Sequence, residues 1–258
     1  MLKKLIFEKY IELKKEIAKV IIGQDEVVRD VIMAVFSKGH ALLVGVPGLA
    51  KTLLVNTIAQ SLGLSYKRIQ FTPDLMPSDI IGAEILNDKR EFKFVQGPIF
   101  SNIMPEAQLD RFMFNIILDY PSYEEEIEVV KATTGLSQTK LNTILTAEEI
   151  LFFQDLIRKI PVIDNVYEYA VSLVAKTRPN TAKALNITND YISWGAGPRA
   201  SQYLIIGAKC HAAIKGKYSP DIEDVKAIAP QILRHRLVRN YKAVAEGVSM
   251  EHIISELL

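Results

Sequence analysis

Along the first twenty residues the apolar positions recur at helical spacing. Lysines interleaved with Glu8, Glu12 and Glu16 fill the other face, so Leu2 to Val20 is predicted to be an amphipathic helix. Gly23-Gln24-Asp25 breaks it, and a second helix runs from Glu26 to Lys38, ended by Gly39. The pattern then changes. Ala41 to Val44 is a short apolar run of strand length, Thr52 to Leu62 returns to helical spacing, and Gly63 stands where that helix should stop. Tyr66 to Phe71 reads as a strand, Glu84 to Val95 as a hairpin turning at Asn87-Asp88, and Phe112 to Leu118 as a later buried strand.

Beyond Pro121 the pattern predicts helices alone. Thr146-x-x-Glu149 is a capping box, Pro161 closes that helix, and Asp164 to Lys176 follows with Pro179 as its stop. Pro198 to Ile214 is next, with Gly216 behind it; Ser219-Pro220 starts another helix and Ser249 caps a last short one. The chain therefore divides into an α/β unit over 1–120, a linker over 121–140, and a helical unit over 141–258. No internal repeat is visible.

Composition narrows the function. The 258 residues are 49% hydrophobic, enough for a sizeable core, and the formal net charge of +1 gives no electrostatic footprint for nucleic acid. Cys210, the single cysteine, lies in an apolar stretch and reads as a core residue. No apolar run approaches the ~20 residues of a membrane span, and the first residues are too often charged for a secretory signal. A cytoplasmic location is expected.

The strongest chemical signal is Leu42 to Thr52, L-L-V-G-V-P-G-L-A-K-T, a strand running into a Gly-rich turn that ends in Lys-Thr. Gly45 and Gly48 let backbone N–H groups turn toward an anion. Lys51 can then reach β and γ phosphates, the Thr52 hydroxyl is placed for Mg²⁺, and the helix that follows turns its positive end toward both. The candidate nucleotide contacts are thus Gly45, Val46, Pro47, Gly48, Leu49, Ala50, Lys51, Thr52 and Leu53. Ala50 stands where the general pattern G-x-x-x-x-G-K-[ST] has its second Gly. His235, within Leu233-Arg-His-Arg-Leu237, reads as a solvated residue on a charged helix rather than a base.

Further motifs make the resemblance specific. V-I-I-G-Q-D at Val20 to Asp25, Q-F-T-P-D-L-M-P-S-D-I at Gln70 to Ile80, G-P-I-F at Gly97 to Phe100, P-E-A-Q-L-D-R-F at Pro105 to Phe112 and W-G-A-G-P-R-A-S at Trp194 to Ser201 resemble the MoxR branch of the AAA+ ATPases. The resemblance covers nearly the whole chain, in order. It implies an α/β class P-loop module, a parallel sheet flanked by helices, followed by an all-helical lid. It further implies an ATP and Mg²⁺ site with Ile21 and Ile22 lining the adenine pocket, Arg111 as an arginine finger directed at a neighbouring subunit, and Arg199 as the sensor 2 residue. The implied assembly is a homo-oligomer, a hexameric ring, remodelling protein clients that in this branch often carry von Willebrand A domains. A magnesium-chelatase-like motor subunit shares the L-D-R-F box and is the alternative within the superfamily.

One stretch departs from that pattern. Between Ser101-Asn102-Ile103 and Met104-Pro105 the family places a strand ending in Asp-Glu, then a helix, another strand and a sensor Asn. These would need roughly 50 residues, and nothing here fills the role. Glu106 is no substitute, because its P-E-A-Q context matches the family's approach to Arg111. Nucleotide binding keeps its residues while water activation has no assigned carboxylate, so a nucleotide-regulated scaffold without hydrolysis is the rival reading. Family sheets resemble one another in the order 5-1-4-3-2, and loss of the central strands would leave an apolar edge on Ala41 to Val44. The folded molecule is therefore expected to contain a further segment between Ser101 and Pro105, with a break there beyond the ~3.8 Å spacing of consecutive Cα atoms.

Overall fold

The computed structural model describes residues 2–67, 76, 78, 82–86, 92–96, 109–134 and 140–258, with 2–3, 82–86 and 92–96 as backbone. Helix α1, Leu2–Ile17, buries Ile6, Tyr10, Leu13 and Ile17, a heptad-like stripe that fixes the face it packs. Helix α2, Asp25–Phe36, opens with Asp25 and Glu26 in its first turn, where the helix dipole favours negative charge. It closes through the bond from the Gly39 amide to the Ala34 carbonyl.

Strand β1, Ala41–Val44, pairs in parallel with a strand much later in the chain, Phe114–Ile117, which is the buried strand expected around 112–118. Ala41 faces Phe114 and Val44 faces Ile117. Between them come α3, Lys51–Ser61, and an antiparallel hairpin of β2, Gly82–Leu86, with β3, Phe92–Gln96. Phe114–Ile117 is therefore β4. The expected strand at Tyr66 to Phe71 is absent at Tyr66 and Lys67, and its remainder lies outside the described residues. So do Asn87-Asp88, Gly97 to Phe100 and the whole of Ser101 to Pro105.

Helix α4, Tyr123–Thr134, leads away from β4. The helical unit then holds α5, Ala147–Arg158, α6, Asp164–Lys176, α7, Asn186–Tyr191, α8, Pro198–Ile214, α9, Ile222–Leu233, α10, Tyr241–Ala245, and α11, Met250–Leu257. Thr146 and Glu149 form the predicted capping box at the start of α5, and Ser249 caps α11. The sequence reading of helices alone is amended in one place, because β5, Ile192–Trp194, and β6, Val238–Arg239, form a short antiparallel ribbon. A bulge between its ladder positions disrupts the period-2 signal that would betray it.

Helices α8 and α9 approach closely at Gly207, where an added Cβ would lie 2.5 Å from Ile228 Cδ1. The core is continuous across both units. Phe36 packs edge-on against Phe153 at 5.6 Å, and Met33, Phe114, Leu204, Ala208 and Ile232 belong to one buried cluster. Cys210 is fully buried in it and burial pushes its thiol up to about 12, as expected of a core residue rather than a nucleophile.

Candidate functional site

The loop between β1 and α3 is shaped by its neighbours. A Cβ on Gly45 would lie 2.8 Å from the Leu118 carbonyl oxygen, so the exit of β4 admits only glycine there. Leu49 is buried and anchors the loop from beneath, while Val46, Pro47, Gly48 and Ala50 are exposed. Gly48 turns at φ +93, in the region that side chains disfavour. Ala50, the N-cap of α3, is also left-handed, with φ 51 and ψ 25 and no side-chain cap. The substitution for glycine noted in the sequence thus falls where a non-glycine residue costs on the order of 1 kcal/mol.

The amides of Lys51, Thr52 and Leu53 open α3 without a capping oxygen from Ala50. The Lys51 ammonium donates to the carbonyls of Gly45 at 2.6 Å and Val46 at 2.8 Å, so its charge is held over the loop. Thr52 and Leu53 are exposed beside it. This set fits a polyphosphate: helix-opening amides and an ammonium donate, and the two carbonyl bonds of Lys51 can be exchanged for stronger charge-assisted bonds. The Thr52 hydroxyl is the group that could hold Mg²⁺. Ile21 is buried and Ile22 half-buried. Gly23, next in sequence, sits against the Glu125 carboxyl group, 2.2 Å from where its Cβ would be.

The two candidate arginines lie elsewhere. Leu109–Arg111 form a 3-10 turn just before β4, closed by the bond from the Phe112 amide to the Leu109 carbonyl. Arg199 stands in the first turn of α8, which the W-G-A-G-P-R stretch builds locally. Gly195 passes so close to Thr177 that a Cβ would lie 2.3 Å from its carbonyl, the Ala196 amide donates to the Thr177 hydroxyl, and Pro198 occupies the first helical position. The Arg199 guanidinium pairs with the Asp110 carboxylate at 2.6 Å. That carboxylate, rather than a phosphate, offsets the unfavourable position of a cation at a helix N-terminus.

Because β1 and β4 are parallel and in register, this turn and the phosphate loop sit at opposite ends of the pair. The stretch from Phe112 to Leu118 beside Gly45 corresponds to roughly 15–20 Å at strand rise. The structure brings Arg199 to the turn that bears Arg111, through Asp110, and that turn lies at the end of the strand pair away from this chain's own loop.

His235 is corrected. Its Nε2 lies 2.9 Å from the Phe112 carbonyl, to which it donates, and its Nδ1 is buried with no partner among the described residues. Burial, then the neighbouring Arg236 charge, lowers its pKa to about 4. Arg236 itself was not singled out by sequence reasoning. It is buried, donates to the carbonyls of Ile232, Met113, Phe112 and Asp110, and lies with its guanidinium 5.1 Å from the centre of the Tyr203 ring. Burial lowers its pKa to about 10. The available signal was a pair of arginines flanking a histidine where a strongly apolar helix ends.

Residues 40–104 match the family model of the ATPase family associated with various cellular activities (AAA), and residues 184–257 match the AAA lid domain. A phosphate loop on a parallel strand pair followed by such a lid defines an AAA+ module. The chain is 33% identical to Chaperone MoxR1 of Mycobacterium tuberculosis, covering 94% of this chain and 79% of that protein. It is 25% identical to Protein MoxR of Methylorubrum extorquens, covering 87% and 86%. A crystal structure of a Cytophaga hutchinsonii protein superposes with TM-score 0.90 at 32% identity, covering 99% of this chain and 94% of its own. This chain belongs to the MoxR family of AAA+ ATPases. The match to the Mycobacterium chaperone spans 299 positions but uses only about 243 residues of this chain, so about 56 positions of the relative have no counterpart here. The AAA match ends at 104.

Proposed function

We propose that this chain binds ATP·Mg at residues 45–52 and assembles through the bound nucleotide into a homo-oligomeric ring of six members that remodels protein clients. The observation that carries the reading is the phosphate loop itself: an uncapped α3, left-handed Ala50 and a Lys51 ammonium held over the loop. In this reading Arg111 and Arg199 serve the nucleotide of a neighbouring copy, and the position of their turn at the far end of the strand pair from their own loop supports it. A client with a von Willebrand A domain and a cytoplasmic setting follow from the family resemblance. The test is thermal. Saturating ATP·Mg should raise the melting temperature of the wild type and leave Lys51→Ala unmoved; at 100 times its dissociation constant the ligand contributes about 2.7 kcal/mol. Equal shifts for both proteins would refute the site.

A second reading, binding without turnover, is favoured by a specific observation. The sequence has no Asp-Glu pair between Gly39 and Pro105, and the positions lacking a counterpart number about 56, close to the length such a segment needs. Phosphate release from ATP decides between them: turnover supports the motor, and binding with no release above buffer supports a nucleotide-regulated scaffold.

A further inference from the structure

We infer that Arg236, with Tyr203, is a positioning residue that holds the turn Leu109–Arg111 so that Arg111 and Arg199 can meet the nucleotide of a second copy; the inference rests on the function proposed above. Burying a guanidinium is costly, and the expense is recovered only where geometry is fixed by several good hydrogen bonds. Arg236 makes them almost entirely to one short stretch. Its Nη2 donates to the carbonyls of Asp110 at 3.0 Å and Phe112 at 2.5 Å, and its Nη1 donates to Met113 at 3.4 Å as well as to Ile232 in the last turn of α9. Its Nε lies 3.4 Å from the Asp110 carboxylate, whose other oxygen holds Arg199. Tyr203, one helical turn beyond Arg199 on α8, donates its hydroxyl to the Arg111 carbonyl at 3.1 Å.

Each of these contacts restrains backbone on the inner side of the turn, while Arg111 and Asp110 remain exposed. The core gains little from ordering an exposed turn, and an apolar side chain at 236 would fill the space without the desolvation cost. What the arginine supplies is orientation: one buried fork ties the turn bearing Arg111 to the carboxylate that holds Arg199. Two cations on separate elements are thereby kept in one place. A lysine could keep the charge but could not reach several carbonyls from one planar group.

The test uses the full chain in sedimentation velocity, with and without ATP·Mg, and thermal melts of the same samples. Tyr203→Phe and Arg236→Lys should keep the melting shift given by ATP·Mg, because their own phosphate loop is intact, yet require about ten-fold more protein to assemble; a tenfold change corresponds to about 1.4 kcal/mol. In an Arg111→Ala background, Tyr203→Phe should add nothing further. Should Arg236→Lys fail to fold, Tyr203→Phe, which loses one hydroxyl, decides alone. Wild-type assembly by Tyr203→Phe, or an undiminished effect in the Arg111→Ala background, would show a purely structural role and overturn the inference while leaving ATP binding standing. If ATP·Mg neither stabilises nor assembles the wild type, the proposed function fails, and this inference fails with it.

Discussion

Ala50 holds a left-handed backbone in the loop between β1 and α3, and the strain is stored beside Lys51, the residue proposed to meet phosphate. Ala50→Gly should relieve it. The gain is offset by the greater freedom of glycine in the unfolded chain, so a rise of up to about 1 kcal/mol is expected from the urea midpoint. His235 makes a second prediction. Its folded pKa of about 4 lies below the ordinary value of 6.5, so between those values the unfolded chain binds more protons than the folded one. Stability contributed by neutral His235 is thus complete above about pH 6.5 and declines as pH falls toward 4, by on the order of 2 kcal/mol after allowing for partial exposure. His235→Gln keeps a donor for the Phe112 carbonyl but does not titrate. The difference in unfolding free energy between pH 7 and pH 4 should shrink in that variant, and an unchanged difference would count against the assignment. Sequence alone placed His235 in solvent, because adjacent arginines suggest a wet surface; its burial is set by β4, more than a hundred residues earlier.

Among the elements, helix ends were legible wherever the signal was local. The Thr146 and Glu149 box, the Asp164–Lys176 helix, the Pro198–Ile214 helix and the Ser249 cap all stand as read, since each depends on bonds within a few residues. Thr146→Ala should cost about 1 kcal/mol in chemical denaturation. Gly207 belongs to the other kind. Nothing near it in sequence explains it, and only the crossing of α8 over α9 does. Gly207→Val should therefore cost about 1–3 kcal/mol through overpacking, more than loss of the cap, and calorimetry of the two variants orders them directly. The short helices α7 and α10 and the ribbon of β5 with β6 escaped the reading because stretches of two to six residues carry too few periods to declare themselves.

For the whole molecule, the separation of the phosphate loop from Arg111 and Arg199 means that a complete site needs two copies under the proposed function. Lys51→Ala would still offer its arginines to a neighbour, and Arg111→Ala would still hold nucleotide. Each alone should remain unassembled with ATP·Mg at concentrations that assemble the wild type, and Arg111→Ala should assemble only at higher ones. Mixed in equal amounts they should form dimers, because one competent interface can join an Arg111→Ala copy to a Lys51→Ala copy, whereas the next interface lacks a partner. Sedimentation of the mixture showing only monomers at concentrations that assemble the wild type would refute this division of labour.

The sequence by itself determined the Gly-rich turn between β1 and α3, the α/β unit and the lid, because such a turn, apolar periodicity and helix caps are written over short spans. It also marked Arg111 and Arg199, through boxes that resemble a family. Only the tertiary structure decided that Arg199 pairs with the carboxylate of Asp110, next in sequence to Arg111, at the end of the strand pair away from their own loop, since that follows from the parallel register of β1 with β4. Arg236 owes its meaning to the same cause. Its partners Asp110, Phe112 and Met113 are more than a hundred residues away along the chain, and no local pattern can announce a contact that only the packing of α9 against β4 creates.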